Sequence, residues 1–438
     1  MKSICSTGLV LFATLGWAAG PANAQSDGYG TPSLLPLPST APVFSNSTPA
    51  SYNYYEKSAT ASEAFGSSLT NRKPNPSSLS EPSPSDNEGR SDFEQALHSP
   101  PCDECDACNT CNSCNSCCGG RWFGAAGGLV MTRNRANPYW TTFQTNNNPN
   151  QLMNTQNAGA GWSGGGQITV GYRWCGCNGP ALALTYWGVA PMFGYSTVTD
   201  QTGNINTALS TPIDLGGVTM NNGILASHYF DNAAEQRIWR HDRFNNVEIN
   251  LIQMSMVNTG RLQMGALAGF RYFRFSESLT YGSVAFGSNF GDNGGADEAY
   301  MGFNVVNNLF GAQIGAFLNY NVTDRFGIFF IPKFGIFGNQ MNCQTLLYTG
   351  DAVNNPTYNI SAHKSDVSVL GELDSGLNYS VTPNIRAYIG YRVVAVSNVA
   401  LADNQVLPFL ADTAGFAQVK QNGDLILHGV MTGVAWAF

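Results

Sequence analysis

Residues 424–438 read Asp-Leu-Ile-Leu-His-Gly-Val-Met-Thr-Gly-Val-Ala-Trp-Ala-Phe, and the rest of the chain is read outward from them. Two interleaved sets can be written out. One holds Ile426, His428, Val430, Thr432, Val434, Trp436 and Phe438; the other holds Leu425, Leu427, Gly429, Met431, Gly433, Ala435 and Ala437. The repeat is two residues, the period of a strand and not of a helix. The stretch stops on an aromatic residue, which suits either an edge strand of a soluble β-protein or the last strand of a barrel whose rim meets an interface.

Composition separates those readings. Charged residues make up 11% of the chain, against about 25% in ordinary soluble domains. Aromatics are 12%, glycines number 48, and the mean hydropathy is -0.13. Past the N-terminus no apolar run approaches the roughly 20 residues that a spanning helix needs. A membrane barrel, in which only alternate residues face lipid, gives such an average. A net charge of -8 and a pI near 5.1 argue against nucleic acid as a partner, because nucleic acid selects basic faces.

The first 24 residues read as a signal peptide: Lys2, an apolar core from Leu9 to Gly20, and Ala22-Asn23-Ala24 as the cleavage site. Residues 25–101, rich in Ser, Pro, Asn and Thr, cannot bury enough apolar surface to offset the entropy of ordering and read as a disordered tail. Residues 102–120 carry Cys102, Cys105, Cys108, Cys111, Cys114, Cys117 and Cys118. Metal cages use separated C-x-x-C pairs around a folded knuckle. This spacing is continuous, so no metal and no cofactor is assigned. In an exported chain the expected fate is disulfides, with an inert linker and metal binding as the lesser alternatives. Cys175 and Cys177 are further candidates for the same cross-links, with a disulfide partner on another molecule as one outcome.

From residue 121 onward the alternation marks ten strands. The clearest sets Gly164, Gly166, Ile168, Val170, Tyr172 and Trp174 against Gln167, Thr169, Gly171 and Arg173. Another sets Val247, Ile249 and Leu251 against Asn246, Glu248 and Asn250. The connections alternate in length. Short turns are expected near 175–180, 257–260, 321–324 and 380–383. Long loops are expected near 133–162, 194–240, 276–302, 340–365 and 397–423. Transmembrane barrels have short periplasmic turns and long outside loops. The expected fold is therefore all-β: an antiparallel up-and-down transmembrane barrel over 121–438. A hairpin around 213–220 would raise the strand count to twelve. Closure is obligatory, since an open edge in lipid leaves unpaired backbone groups at several kcal/mol each.

Residues 424–438 resemble the closing strand of bacterial outer-membrane barrels, in which a final Phe serves as the assembly signal. One local motif recurs as Gly171-Tyr172-Arg173, Gly269-Phe270-Arg271 and Gly390-Tyr391-Arg392. Together with Asn308-Leu309-Phe310-Gly311-Ala312-Gln313-Ile314-Gly315 it resembles the putative β-barrel porin family of planctomycetes, over roughly 121–438. The resemblance implies an outer-membrane barrel in contact with outer-membrane lipid and with the assembly machinery. It supplies no catalytic residues, and none is assigned.

The candidate pore-lining charges are Arg173, Glu248, Arg271, Arg325, Lys333, Glu372, Asp374, Arg386, Arg392 and His428. Rings of charge select ions in pores, so one reading is a passive channel for small hydrophilic solutes or ions. The second is a closed structural or adhesion barrel, tethered through the cysteine-rich tail. It follows from size: about eight strands are filled by their own side chains, whereas aqueous channels take about 16. The third, an outer-membrane hydrolase, rests on Ser227, His228, Asp231, His241 and Asp242 near one long loop.

Overall fold

The computed structural model describes residues 121–437, apart from 135–136, 146, 175–178, 201–206 and 260. The expected signal peptide, tail and cysteine array, together with Cys175, Cys177 and Phe438, lie outside the described residues. The strands are β1 (Arg121–Arg133), β2 (Trp140–Gln144), β3 (Asn147–Asn154), β4 (Ser163–Arg173), β5 (Ala181–Thr199), β6 (Leu209–Ser210), β7 (Ala233–Thr259), β8 (Leu262–Ala285), β9 (Glu298–Asn321), β10 (Phe326–Thr349), β11 (Tyr358–Thr382), β12 (Ile385–Val399) and β13 (Gly423–Ala437).

Ten of these strands form a closed antiparallel barrel in the order β1-β4-β5-β7-β8-β9-β10-β11-β12-β13. The last strand pairs back onto the first, from Phe123 opposite Ala437 to Arg133 opposite Leu427. The expected ten strands and their closure are present. Residues 213–220 add no wall strand; they make only isolated bridges, Asp214 to Phe409 and Thr219 to Leu225. The three short strands β2, β3 and β6 form an extension beside β7 at the long-loop end.

The strands differ greatly in length. β7 has 27 residues, β8, β9 and β10 have 24 each, and β11 has 25. β1, β4, β12 and β13 have between 11 and 15. A membrane strand needs only about 9–11 residues. Much of the chain expected as loop, at 194–240, 276–302 and 340–365, is therefore wall that continues beyond the apolar belt.

That upper wall inverts the hydrophobic alternation. In β10, Ile328, Phe330, Phe334 and Ile336 point outward and are exposed. One residue later the phase flips. Phe337, Met341, Cys343 and Leu347 point inward and are buried, while Gln340 and Asn342 face out. The same switch falls at Tyr272–Phe273 in β8, at Phe310–Leu309 in β9 and at Tyr186–Trp187 in β5. Tyr272 lies opposite Phe310 and Phe273 opposite Leu309, so adjacent strands switch at one level. Below it the outer face is apolar and suits lipid; above it polar residues such as Gln340 and Asn342 appear on the outer face, where Phe193 and Tyr195 of β5 stay exposed, and apolar residues such as Phe273, Leu309 and Phe337 turn inward.

An apolar inner face needs a partner, and loops supply it. Residues 211–232 and loop 400–422 fold into the upper barrel. Leu215, Tyr229, Phe230, Val406, Leu410 and Phe416 pack there against Leu279, Met301, Phe303 and Met341 of the wall. Loop 400–422 follows a short strand, so it fills the space left above the low side of the wall. The two loops are joined where Asp214 N donates to Pro408 O and Leu410 N to Asp214 O. Cys343, in the stretch 340–365 expected as a long loop, is instead a free cysteine buried inside this packed region.

Candidate functional site

The interior of the barrel is built in layers. The lower layer consists of charged pairs that the strand register places face to face. Glu248 of β7 lies opposite Arg271 of β8, Lys333 of β10 opposite Glu372 of β11, and Asp374 of β11 opposite Arg392 of β12. Opposite charges directly across a ladder attract. The pairs are then cross-linked through the lumen. Lys333 Nζ reaches Glu248 Oε2 at 3.1 Å and Glu372 Oε1 at 2.9 Å. Arg271 Nη2 reaches Glu372 Oε2 at 2.6 Å, and Arg392 holds Asp374 with Nε at 2.7 Å and Nη2 at 2.6 Å.

Amides complete the layer. Asn246 and Asn250 donate to Glu248 at 2.9 and 3.0 Å, and Gln313 donates to Glu248 and to Asn250 Oδ1 at 2.9 and 2.8 Å. Three cations and three carboxylates therefore balance in a space almost closed to water. Glu248 is fully buried and Glu372 nearly so. Buried charges need this kind of pairing and bonding, because an uncompensated one carries a heavy desolvation penalty.

Above it lies an apolar layer of Trp187, Phe244, Phe273, Phe275, Phe337 and their neighbours. Phe244 and Phe275 stack at 5.0 Å, and the Arg392 guanidinium lies 5.4 Å from the Trp187 ring centre. A second ionic layer follows. Arg133 Nη1 lies 3.1 Å from both Asp242 and Glu277. Arg240 pairs with Glu277 and holds Asp403 of loop 400–422 through Nη2 at 2.5 Å and Nη1 at 2.9 Å. The loop backbone is fastened too: Ala402 N donates to Glu277 Oε2 at 2.9 Å, and Asn307 brackets Ala400 through both its N and its O. Burial pushes the Asp403 carboxyl above its ordinary range, with Glu277 beside it adding to the rise and Arg240 opposing it.

Of the ten charges named from the sequence, eight face the interior: Arg173, Glu248, Arg271, Lys333, Glu372, Asp374, Arg386 and Arg392. Two do not. Arg325 sits exposed in the turn between β9 and β10. His428 lies on the outward face of β13 between Ile426 and Val430, 2.6 Å from the Tyr391 hydroxyl and edge-on to Trp162. The upper layer of Arg133, Arg240, Asp242, Glu277 and Asp403 was not foreseen. Arg133, Arg240, Glu277 and Asp403 lie in stretches expected as loop and Asp242 was weighed only for hydrolysis; the pattern that would have revealed them is the inverted alternation around them.

The residues weighed for hydrolysis are scattered. His241 and Asp242 are adjacent on β7 and so face opposite sides of the wall. His241 stacks outside on Phe193 at 4.7 Å, while Asp242 is buried inside against Arg133. His228 packs on its neighbour Tyr229. Among the described residues no cluster of His, Cys, Asp or Glu could hold a metal ion.

Several solved outer-membrane proteins align with this chain. The outer membrane protease OmpT of Escherichia coli is 13% identical with a TM-score of 0.35, over 73% of this chain and 96% of that one. A major outer membrane protein of Thermus thermophilus is 9% identical with a TM-score of 0.28, over 73% and 100%. OprG of Pseudomonas aeruginosa is 7% identical with a TM-score of 0.22, over 73% and 97%. At these values no activity is carried across. No curated protein sequence matches the chain. Residues 235–438 match the family described as "Putative beta barrel porin-7 (BBP7)", which bears out the β-barrel porin resemblance read from the Gly-aromatic-Arg motifs.

Proposed function

We propose that the protein is an outer-membrane barrel closed to passive diffusion, a structural anchor that presents its long loops at the cell surface. One observation carries this reading. Side chains that line an aqueous pore must touch water, yet Glu248, Asn246, Trp187, Phe244, Phe273 and Asp242 are at 0% exposure at successive levels of the interior. The short turns then face the periplasm, as in bacterial barrels generally. No enzymatic role is assigned, since His241 and Asp242 face opposite sides of the wall.

The test is conductance of the full chain in planar bilayers, with heat-modifiable gel mobility as the check on folding. The expected record is flat. Discrete steps that scale with salt would sink the closed reading. The porin family match favours one second reading, a gated channel, in which withdrawal of loop 400–422 precedes opening. The cysteine array would tether the anchor on the periplasmic side. A gel run without reductant should then show a band of higher mass that reduction removes.

A further inference from the structure

Below the lower ionic layer the lumen is not filled. A cavity of about 230 Å³ remains at the short-turn end, walled by all ten barrel strands. Its lining divides by chemistry. Phe123, Ala125, Ala183, Leu267, Phe329 and Met431 give it apolar walls. Among the described residues the charged groups on it are Arg173, Lys333, Arg386, Arg392 and Asp374.

That carboxylate is already engaged, since Arg392 takes both its oxygens. Glu248 and Glu372, behind the lining, are held by Lys333 and Arg271. Arg392 Nη1 is buried and has no hydrogen-bond partner. The cavity therefore offers apolar surface to the body of a ligand and guanidinium N–H groups to its head. Small-molecule sites have this composition, mostly apolar with a few convergent polar groups. A guanidinium pairs best with an anion, and its preference grows in a low-dielectric setting.

We propose that this cavity is a binding site for a small amphipathic anion that enters from the short-turn end. Its apolar body lies against Phe123, Phe329 and Met431, and its anionic head meets Arg173, Arg386 and Arg392. The site lies below the ionic layer and makes no use of loop 400–422, so it does not depend on whether that loop is docked.

The test uses three probes of equal body, octanoate, octan-1-ol and octylammonium, titrated calorimetrically into the full chain in lipid nanodiscs. Octanoate is expected to bind saturably at one per barrel, at least tenfold more tightly than octanol, with octylammonium not binding. Arg386→Gln and Arg173→Gln should each weaken octanoate at least tenfold and leave octanol unchanged. Ala183→Trp, which fills the cavity without altering charge, should abolish saturable binding. Octanol or octylammonium binding as well as octanoate overturns the proposal. So does octanoate binding that survives Ala183→Trp, which would place the ligand on the lipid-facing surface. If the arginine variants fail to fold, the comparison of the three probes on the unaltered protein still decides.

Discussion

Lys333 bridges two carboxylates of the lower layer from one nitrogen, Glu248 at 3.1 Å and Glu372 at 2.9 Å. Glu372 has Arg271 and Arg392 beside it, but Glu248 otherwise has only Arg271, at 3.8 Å, and amide donors. Removing one partner of a buried pair costs about 3–5 kcal/mol, because the other charge is left uncompensated. Lys333→Met should therefore destabilise the barrel by about 3 kcal/mol. The urea midpoint of its heat-modifiable mobility reads the loss, and adding Glu248→Gln should recover more than half of it. Arg325→Gln should change stability by less than about 0.5 kcal/mol, the usual limit for surface sites. The contrast shows how far side-chain direction was legible. Lys333 keeps the strict two-residue phase with Gly327 and Gly335, so its inward direction followed from alternation. Arg325 precedes the first paired residue of β10, where alternation no longer applies. His428 shares its parity with Ile426 and Val430, and its outward position follows from that parity more securely than from its polarity.

Loop 400–422 behaves as part of the core although it is a connection. Asp403 enters the barrel and meets Arg240, and Asn307 fastens the backbone of Ala400. Lys420, exposed on the same loop, gives a cleavage site for trypsin. Asp403→Ala removes the contact by which Arg240 holds the loop and leaves Arg240 to Glu277 and the Ala158 and Thr155 carbonyls, so tryptic cleavage at Lys420 should speed up at least tenfold. Asp403→Asn should do much less, because an amide oxygen still accepts from Arg240 while one of three crowded carboxylates is neutralised. The pH dependence has a definite sign. Burial holds the docked Asp403 carboxyl above its free value. Between the two values the docked loop keeps a proton that the released loop has lost, so docking weakens as pH rises through that window. Hydrogen exchange across 400–422 should show this in the wild type and lose it in Asp403→Asn. Loop docking and the tall strands were both illegible to a reading that asked only for outward apolar residues. Strands β7 to β11 pass the switch level, invert their pattern and then look like polar loop, with Gln340, Asn342 and Gln344 in place of Ile and Phe. Where the phase holds throughout, as in β4 and β13, sequence and structure agree to within a residue or two.

At the scale of the whole molecule, the switch level fixes how the barrel sits in its membrane. From Ile328 to Ile336 the outward face of β10 is apolar over nine residues, the length that about 25 Å of hydrocarbon requires of a tilted strand. Beyond Phe337 another 12 residues of the same strand continue to Thr349, with Gln340, Asn342 and Gln344 outward and Met341, Cys343 and Leu347 inward. Aqueous solvent is the medium that suits this reversal, because burying the amides of Gln340 and Asn342 in lipid without partners would cost several kcal/mol each. The closed reading and the long-loop surface display both depend on this placement, and cysteine labelling tests it directly. Single cysteines at Gln340 and Asn342, made in a background in which all eleven native cysteines are replaced by alanine, should react in intact cells with a maleimide that cannot cross membranes. A cysteine at Ile336 or Phe334, only a few residues away on the same face, should resist the reagent until detergent is added. A cysteine at Asp324, in the short turn, should react only after the outer membrane is opened. Labelling of Ile336→Cys in intact cells would move the boundary down the strand, and labelling of Asp324→Cys there would invert the molecule.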